Sequence, residues 1–272
     1  MRVRTIVTAV AILLAVSMPG AADDAADLAA AQAAFGAGDY AKMLPLIQGL
    51  ANRGNGEGMR ALAVVYLRGQ GVAKDEAKGL EWMTKAATAG LPAAQHELGL
   101  LYLNGVGAEK NLDNAALWLR KAADQGIGLS WHALGRMAAD AKKPDEAADL
   151  YAKASELGVV AAMLDLAQSH MTKGAAATEK RAALDAYTEA YRWVQTTLTA
   201  VPSGPQRDEV HRIRLAIEDE IKKRDASGAA TTFAAAKVDG EAKAKELRGK
   251  AEAQQADLDA RAKAANAPPK AP

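Results

Sequence analysis

A pattern of residues recurs in this chain at a fixed interval of 36 positions, between Arg60 and Gly126. The matched pairs are Leu62 and Leu98, Tyr66 and Tyr102, Gly69 and Gly105, Gly71 and Gly107, Trp82 and Trp118, Lys85 and Lys121, and Gly90 and Gly126. Self-similarity at a period of roughly 20–50 residues is typical of an array of stacked structural units. Such units bury their apolar faces against their neighbours, so the interval restricts the possible folds more than the chain length does.

Each copy of the pattern predicts two helices joined by a glycine-containing connection. In the first copy we expect helices at 57–68 and 75–89, because apolar residues at spacings of three and four form one stripe. Asp75 is a favoured N-cap for the second helix, and Asn111 is its counterpart in the second copy. The recurrence of the tryptophans favours a place for them in the core. The Gly-x-Gly connections follow a helix rather than a strand, so we interpret them as turns and not as phosphate loops.

The frame extends on both sides as weaker copies. Residues 23–56 predict a degenerate first helical repeat, and the repeats proper are expected to cover 57–200. The third copy lacks the Gly-x-Gly connection near Lys142 and is four residues shorter, and a fourth copy begins near Val160. An amphipathic helix at 201–224 is expected to cap the end of the array.

With these residues in view, the chain resembles the Sel1-like repeat family, which is related to the tetratricopeptide repeat. The resemblance implies an all-α fold, a right-handed α-solenoid of antiparallel helix pairs. It also implies that the concave side binds a protein or a peptide, as in adaptors and regulators of the family. Some exported members act in cell-envelope signalling, and a cysteine-rich branch is linked to β-lactam binding and hydrolysis. This chain has no cysteine and therefore departs from that branch.

The two ends of the chain have compositions unlike the repeats. Residues 1–22 combine a short basic segment, an apolar run and small residues, which predicts a secretory signal peptide cleaved after Ala22. The mature protein is then expected to be periplasmic or secreted, without an integral membrane span. The apolar run is shorter than the roughly 18–20 residues of a spanning helix, which leaves an uncleaved anchor as the less favoured alternative. Residues 225–272 are rich in Ala, Lys and Glu and predict a solvated, flexible or partly helical tail.

Composition and motifs narrow the chemistry. The formal net charge is +1, which gives no reason to expect a nucleic-acid partner. The four histidines form no metal-ligand motif, and the serines lack a nucleophile context, so we expect no metal, no cofactor and no catalytic residue. An enzyme is therefore the weaker interpretation.

One face of the first helix of each repeat is the best candidate for a binding site. If Leu98 and Tyr102 point toward the core, then His96 points the opposite way, together with its counterparts Arg60 and His132 at intervals of 36. An apolar groove with basic and imidazole edges suits a peptide with acidic flanks. In the alternative, the leucines of this face only pack against neighbouring helices. The candidate partner-binding residues are Arg60, His96, Trp131, His132 and Arg136.

These observations predict an exported scaffold or regulator that binds a protein or peptide, with an envelope signalling or assembly component among the candidate partners. One alternative is a cell-envelope enzyme or a binder of small molecules such as β-lactams or cell-wall fragments. Another is a structural envelope component that is tethered by its charged tail.

Overall fold

The computed structural model describes residues 21–226 and 228–265, so most of the predicted signal peptide, residues 1–20, lies outside the described residues. Within those ranges the chain forms twelve helices and no strand. The helices are α1 (Ala21–Gly36), α2 (Tyr40–Asn52), α3 (Gly56–Arg68), α4 (Glu76–Thr88), α5 (Pro92–Asn104), α6 (Leu112–Asp124), α7 (Gly128–Asp140), α8 (Pro144–Glu156), α9 (Val160–Ala176), α10 (Lys180–Ala200), α11 (Pro205–Arg224) and α12 (Ala229–Ala265). Helices adjacent in sequence pack on one another, which confirms the all-α solenoid.

The repeats are regular through α8. Helices α2 to α8 have 13 residues each. We call α3, α5, α7 and α9 the A helices, and α4, α6, α8 and α10 the B helices. The predicted caps are confirmed, because Asp75 accepts a hydrogen bond from Lys78 N at 2.9 Å and Asn111 accepts one from Asn114 N at 2.9 Å. Each cap satisfies an amide that the first turn of a helix leaves without a partner.

The core of the repeats lies between the A and B helices. Its largest fully buried side chains in this region are Leu62, Met83, Leu98 and Leu119. Gly99 lets α5 and α6 approach closely, because a Cβ at that position would lie 2.6 Å from Leu119 Cγ. Small residues at such contacts explain how an alanine-rich sequence packs tightly.

The tryptophans do not occupy this core, contrary to the sequence-based expectation. Trp82 and Trp118 are half-buried at its edge. A lysine lies over each ring, with Lys85 Nζ 4.0 Å from the centroid of Trp82 and Lys121 Nζ 4.2 Å from that of Trp118. The next residue along each B helix, Met83 or Leu119, lies in the core instead. The recurring tryptophan therefore lies at the surface, with a lysine side chain packed over its ring.

The connection inside a repeat also contacts the preceding repeat. The connection between α5 and α6 brings Gly107 against the first turn of α4, where a Cβ on Gly107 would lie 2.4 Å from Glu76 O. Between α7 and α8 only residues 141–143 connect the helices, four fewer than the 105–111 connection, as the sequence indicated. Lys142 has a φ of 59° there and is the one non-glycine residue with positive φ in the described ranges.

The end of the array differs from the sequence-based expectation. Helix α11 packs on α10 as the predicted cap should, but α12 packs along α10 as well. Thr196 donates a hydrogen bond to Gly240 O at 3.2 Å, and the rings of Phe233 and Tyr191 lie 5.3 Å apart. The expectation of a solvated tail is therefore corrected for residues 229–250. Small residues allow this docking, because alanine and glycine let two helix backbones approach without large apolar side chains.

Candidate partner-binding site

The A helices are joined to one another by side chains at one position of the repeat. Residues 60, 96 and 132, at intervals of 36, each contact the next A helix. The three bridges are Arg60 Nη1 to Glu97 Oε1 at 2.7 Å, His96 Nδ1 to Ser130 Oγ at 2.8 Å, and His132 Nε2 to Asp165 Oδ2 at 2.7 Å. Three of the five predicted binding residues thus contribute contacts between repeats. The equivalence of these positions was visible in the sequence, whereas their partners, at separations of 33, 34 and 37, follow no common interval.

The His96–Ser130 bridge resembles the start of a nucleophilic site, since a serine beside a histidine base is one such arrangement. Ser130, however, has 0% of its surface exposed. Burial also lowers the pKa of His96 below its ordinary value of 6.5, because a charged imidazole would lose its hydration there. A substrate cannot reach a hydroxyl without exposed surface, so we assign this pair a structural role.

A cleft of about 420 Å³ lies between α5 and α7, and we call it the A-face groove. Its apolar residues are Leu100, Leu103, Leu129, Ala133 and Met137. Its polar residues are His96, Asn104, Lys110, His132, Arg136 and Asp140. Apolar walls with a few polar groups are the usual composition of a recognition site. The structure therefore brings His96, His132 and Arg136 together along one surface.

The positive charge of the A-face groove comes from Arg136 and Lys110. Both line it, and no ion pair joins either one to another residue in the described part of the chain. His132, by contrast, contacts Asp165. Sequence reasoning missed Lys110 because it lies in a connection, and missed Leu129 because it lies in the first turn of α7. Leu129 is 56% exposed, a signal of an unpartnered apolar surface that only the structure supplies.

Arg60 and Trp131 lie outside the A-face groove. Arg60 lines a separate cleft of about 370 Å³ that α1, α2 and α3 enclose, and it also pairs with Glu57 at 3.1 Å. Trp131 is half-buried, and Lys153 Nζ lies 4.6 Å from the centroid of its ring. A lysine also lies over Trp82 and over Trp118, but there it comes from the same B helix, whereas Trp131 lies on α7 and Lys153 on α8. Its proposed contact with a partner stays a prediction.

The described residues contain neither a cluster of metal-ligating side chains nor a helix that could span a membrane. No group of three or more His, Asp or Glu side chains in residues 21–226 and 228–265 is placed to hold a metal ion. No described helix is both long enough and apolar enough to span a bilayer.

Comparison with known proteins identifies the same repeats that the helix pairs show. The Sel1 repeat model matches residues 56–91, 92–127 and 130–159, which are the helix pairs α3–α4, α5–α6 and α7–α8. A Sel1 repeat protein from Oxalobacter formigenes is 23% identical with a TM-score of 0.51, over 71% of this chain and 84% of that one.

A second solved structure is a protective antigen of uropathogenic Escherichia coli with an SLR fold. It is 22% identical with a TM-score of 0.54, over 84% of this chain. The match spans 53% of that longer chain, so it supports the fold alone. No curated protein matches the sequence.

Proposed function

The chain is a Sel1-repeat protein, and from that premise we propose that it is an exported scaffold that binds a protein or peptide segment in the A-face groove. Sel1 repeats generally mediate protein–protein interaction. The observation that carries the proposal is the composition of this groove, in which exposed leucine and unpaired cations lie side by side. The partner segment is expected to present apolar residues to Leu100 and Leu129 and an acidic residue to Arg136.

The proposed location is the periplasm or the exterior of the cell. It is supported by residues 1–22, in which a basic segment precedes an apolar run and small residues. Fractionation of a bacterial host that expresses the full chain tests it. Recovery of a form that begins at Asp23 outside the cytoplasm supports export, whereas retention of the leader in the cytoplasm contradicts it.

Binding is tested with a double variant of the A-face groove. We propose Arg136→Glu with Leu129→Asn, because both residues are exposed and neither bridges two helices. Arg181→Glu with Leu215→Asn is the matched control, since it changes an exposed arginine and an exposed leucine outside the groove. The immobilised protein is used to select sequences from a random peptide display library and proteins from a periplasmic extract of its host.

The groove variant is expected to lose at least tenfold of its affinity for the selected peptides, while the control and the melting temperature stay unchanged. Enrichment of Asp or Glu beside apolar residues in the selected peptides is expected as well. Equal recovery by the unmodified protein and the groove variant would sink the proposal. Turnover of a β-lactam or a cell-wall fragment that the groove variant abolishes would favour the enzymatic alternative instead.

A further inference from the structure

Two connections of the chain each cover the first turn of an earlier helix: the 69–75 connection covers α2, and the 105–111 connection covers α4. A Cβ on Gly71 would lie 2.6 Å from Tyr40 Cβ, and a Cβ on Gly107 would lie 2.9 Å from Leu80 Cβ. Lys74 lowers the pKa of the Glu76 carboxyl, and the nearby backbone amide of Gly107 adds a smaller effect in the same direction. In both places the first turn of the earlier helix is covered by a turn whose glycine makes the closest contact.

The third such surface has no cover. The connection between α7 and α8 has four residues fewer than its counterparts and contains no glycine. Leu112 occupies the position that Glu76 occupies in the preceding repeat, and it is 51% exposed. A cleft of about 440 Å³ remains where the turn would lie, and we call it the junction cleft. Ala116, Met137 and Leu150 supply further apolar wall.

The charges at the rim of the junction cleft suit the same kind of occupant. The cleft is lined by two cations and two anions that make no ion pair with any described residue, namely Lys110, Arg120, Asp113 and Asp140. The turns that cover the other two surfaces also carry charges of both signs, in Lys74-Asp75 and in Glu109-Lys110. An occupant of one sign would leave half of this rim without a counterion.

We propose that the junction cleft receives a glycine-containing turn of the protein partner, which takes the place of the missing connection. This inference rests on the proposed function, because the junction cleft continues the A-face groove. The two share Leu103, Lys110, Met137 and Asp140. A partner segment that lies in the groove enters the cleft by turning over Leu112, with its glycine against the backbone of α6.

The probe is a synthetic peptide that copies residues 101–112 of this chain, which contain the covering turn of the second repeat. Its binding to the full chain is followed by fluorescence polarisation and by NMR shifts of Leu112 and Ala116. Saturable binding is expected, and a peptide with Gly107→Val is expected to bind at least tenfold more weakly. Absence of saturation at millimolar peptide, or equal binding of both peptides, overturns the inference.

Two variants of the chain remove the cleft in different ways. Leu112→Lys places a cation where the surface that accepts this turn has the anionic Glu76, and it should weaken the peptide at least tenfold. Leu117→Lys changes an equally exposed leucine of α6 outside the cleft and should not. A loop-restored variant replaces residues 141–143 with a copy of 105–111. It should block the peptide while raising the melting temperature, because its own turn then buries Leu112.

The partner recovered in the binding test separates this inference from the proposed function. Loss of that partner on loop restoration supports the junction cleft. If Arg136→Glu with Leu129→Asn abolishes capture but loop restoration leaves it intact, the scaffold function holds and the cleft inference fails. If the peptide binds but no partner depends on the A-face groove, the proposed function fails and the cleft stands. Light scattering that shows a dimer, dissociated by Leu112→Lys, assigns the cleft to a second copy and overturns the inference.

Discussion

Gly107 lies directly against the backbone of Glu76, so close that a Cβ on Gly107 would be 2.4 Å from the carbonyl oxygen. Its φ is 76°, a conformation that side chains disfavour. We expect Gly107→Ala to lower the free energy of unfolding by about 2–4 kcal/mol, from backbone strain together with a forced shift of the neighbouring repeat. Urea unfolding followed by circular dichroism measures it.

Gly90→Ala is the matched control for that substitution. Gly90 also has a positive φ, of 94°, but no heavy atom lies within 4 Å of a Cβ built on it. Only the conformational cost remains, about 1 kcal/mol. If both variants lose the same free energy, the contact between repeats at Gly107 contributes nothing.

Lys142 allows a test of opposite sign. A lysine with φ of 59° carries a conformational cost that glycine does not. Lys142→Gly is therefore expected to raise the free energy of unfolding by about 0.5–1 kcal/mol, because the roughly 1–2 kcal/mol relieved at positive φ exceeds the roughly 0.5–1 kcal/mol of chain entropy that glycine loses on folding. Ala141→Gly is the control, because Ala141 has φ of −77° and gains nothing from glycine. Thermal melts of both variants measure the difference, and a destabilised Lys142→Gly would contradict the assignment.

Gly240 holds α12 against α10. A Cβ on Gly240 would lie 2.7 Å from Gln195 Cβ and 2.8 Å from Arg192 O. Gly240→Ala is expected to weaken this docking by about 1–3 kcal/mol, which faster amide exchange in residues 229–250 would reveal.

Gly249 lies on the same helix, and nothing lies within 4 Å of a Cβ built there. Gly249→Ala should therefore slow exchange by favouring the helix, by about 1 kcal/mol. Acceleration by both substitutions would mean that the position of Gly240 is not the cause.

Two partly buried histidines make stability depend on pH. Burial lowers the pKa of His96 and of His170 from the ordinary 6.5. The unfolded chain therefore binds protons that the folded chain does not, and stability falls as pH drops below 6.5. We expect a lower melting temperature at pH 5 than at pH 7.5 and a smaller fall in His96→Gln. An unchanged fall in the double variant with His170→Gln would exclude both histidines as its source.

The repeat itself was predictable because it rests on local physics. Asp75 and Asn111 cap helices through short side chains at fixed positions, and such signals are readable in sequence. The missing four residues near Lys142 were also readable, as a change in interval. The surface that their absence uncovers was not, because Leu112 is exposed only through the loss of a turn that belongs to another repeat.

The remaining errors share one physical cause, which is that burial depends on neighbours distant in sequence. Trp82 recurs like a core residue, yet the core position belongs to Met83. The tail contains too few large apolar residues to predict that it packs on the repeats. It packs nevertheless, because Gly240 has no side chain and lets α12 approach α10 closely. For the candidate site, the sequence named His96, His132 and Arg136 on one surface. It also included Trp131, which the fold places beneath Lys153.

The bridges between A helices occupy one position of the repeat but differ in chemistry, and the array is therefore not uniform in its response to solution conditions. Dissolved salt screens the Arg60–Glu97 ion pair, whereas the His96–Ser130 hydrogen bond joins two groups without opposite charges. Protonation of His96 at low pH is opposed by its burial. Successive junctions of the array therefore differ in their sensitivity to salt and to pH. A partner that spans several repeats would contact junctions that respond to different conditions, the Arg60–Glu97 junction to salt and the His96–Ser130 junction to low pH.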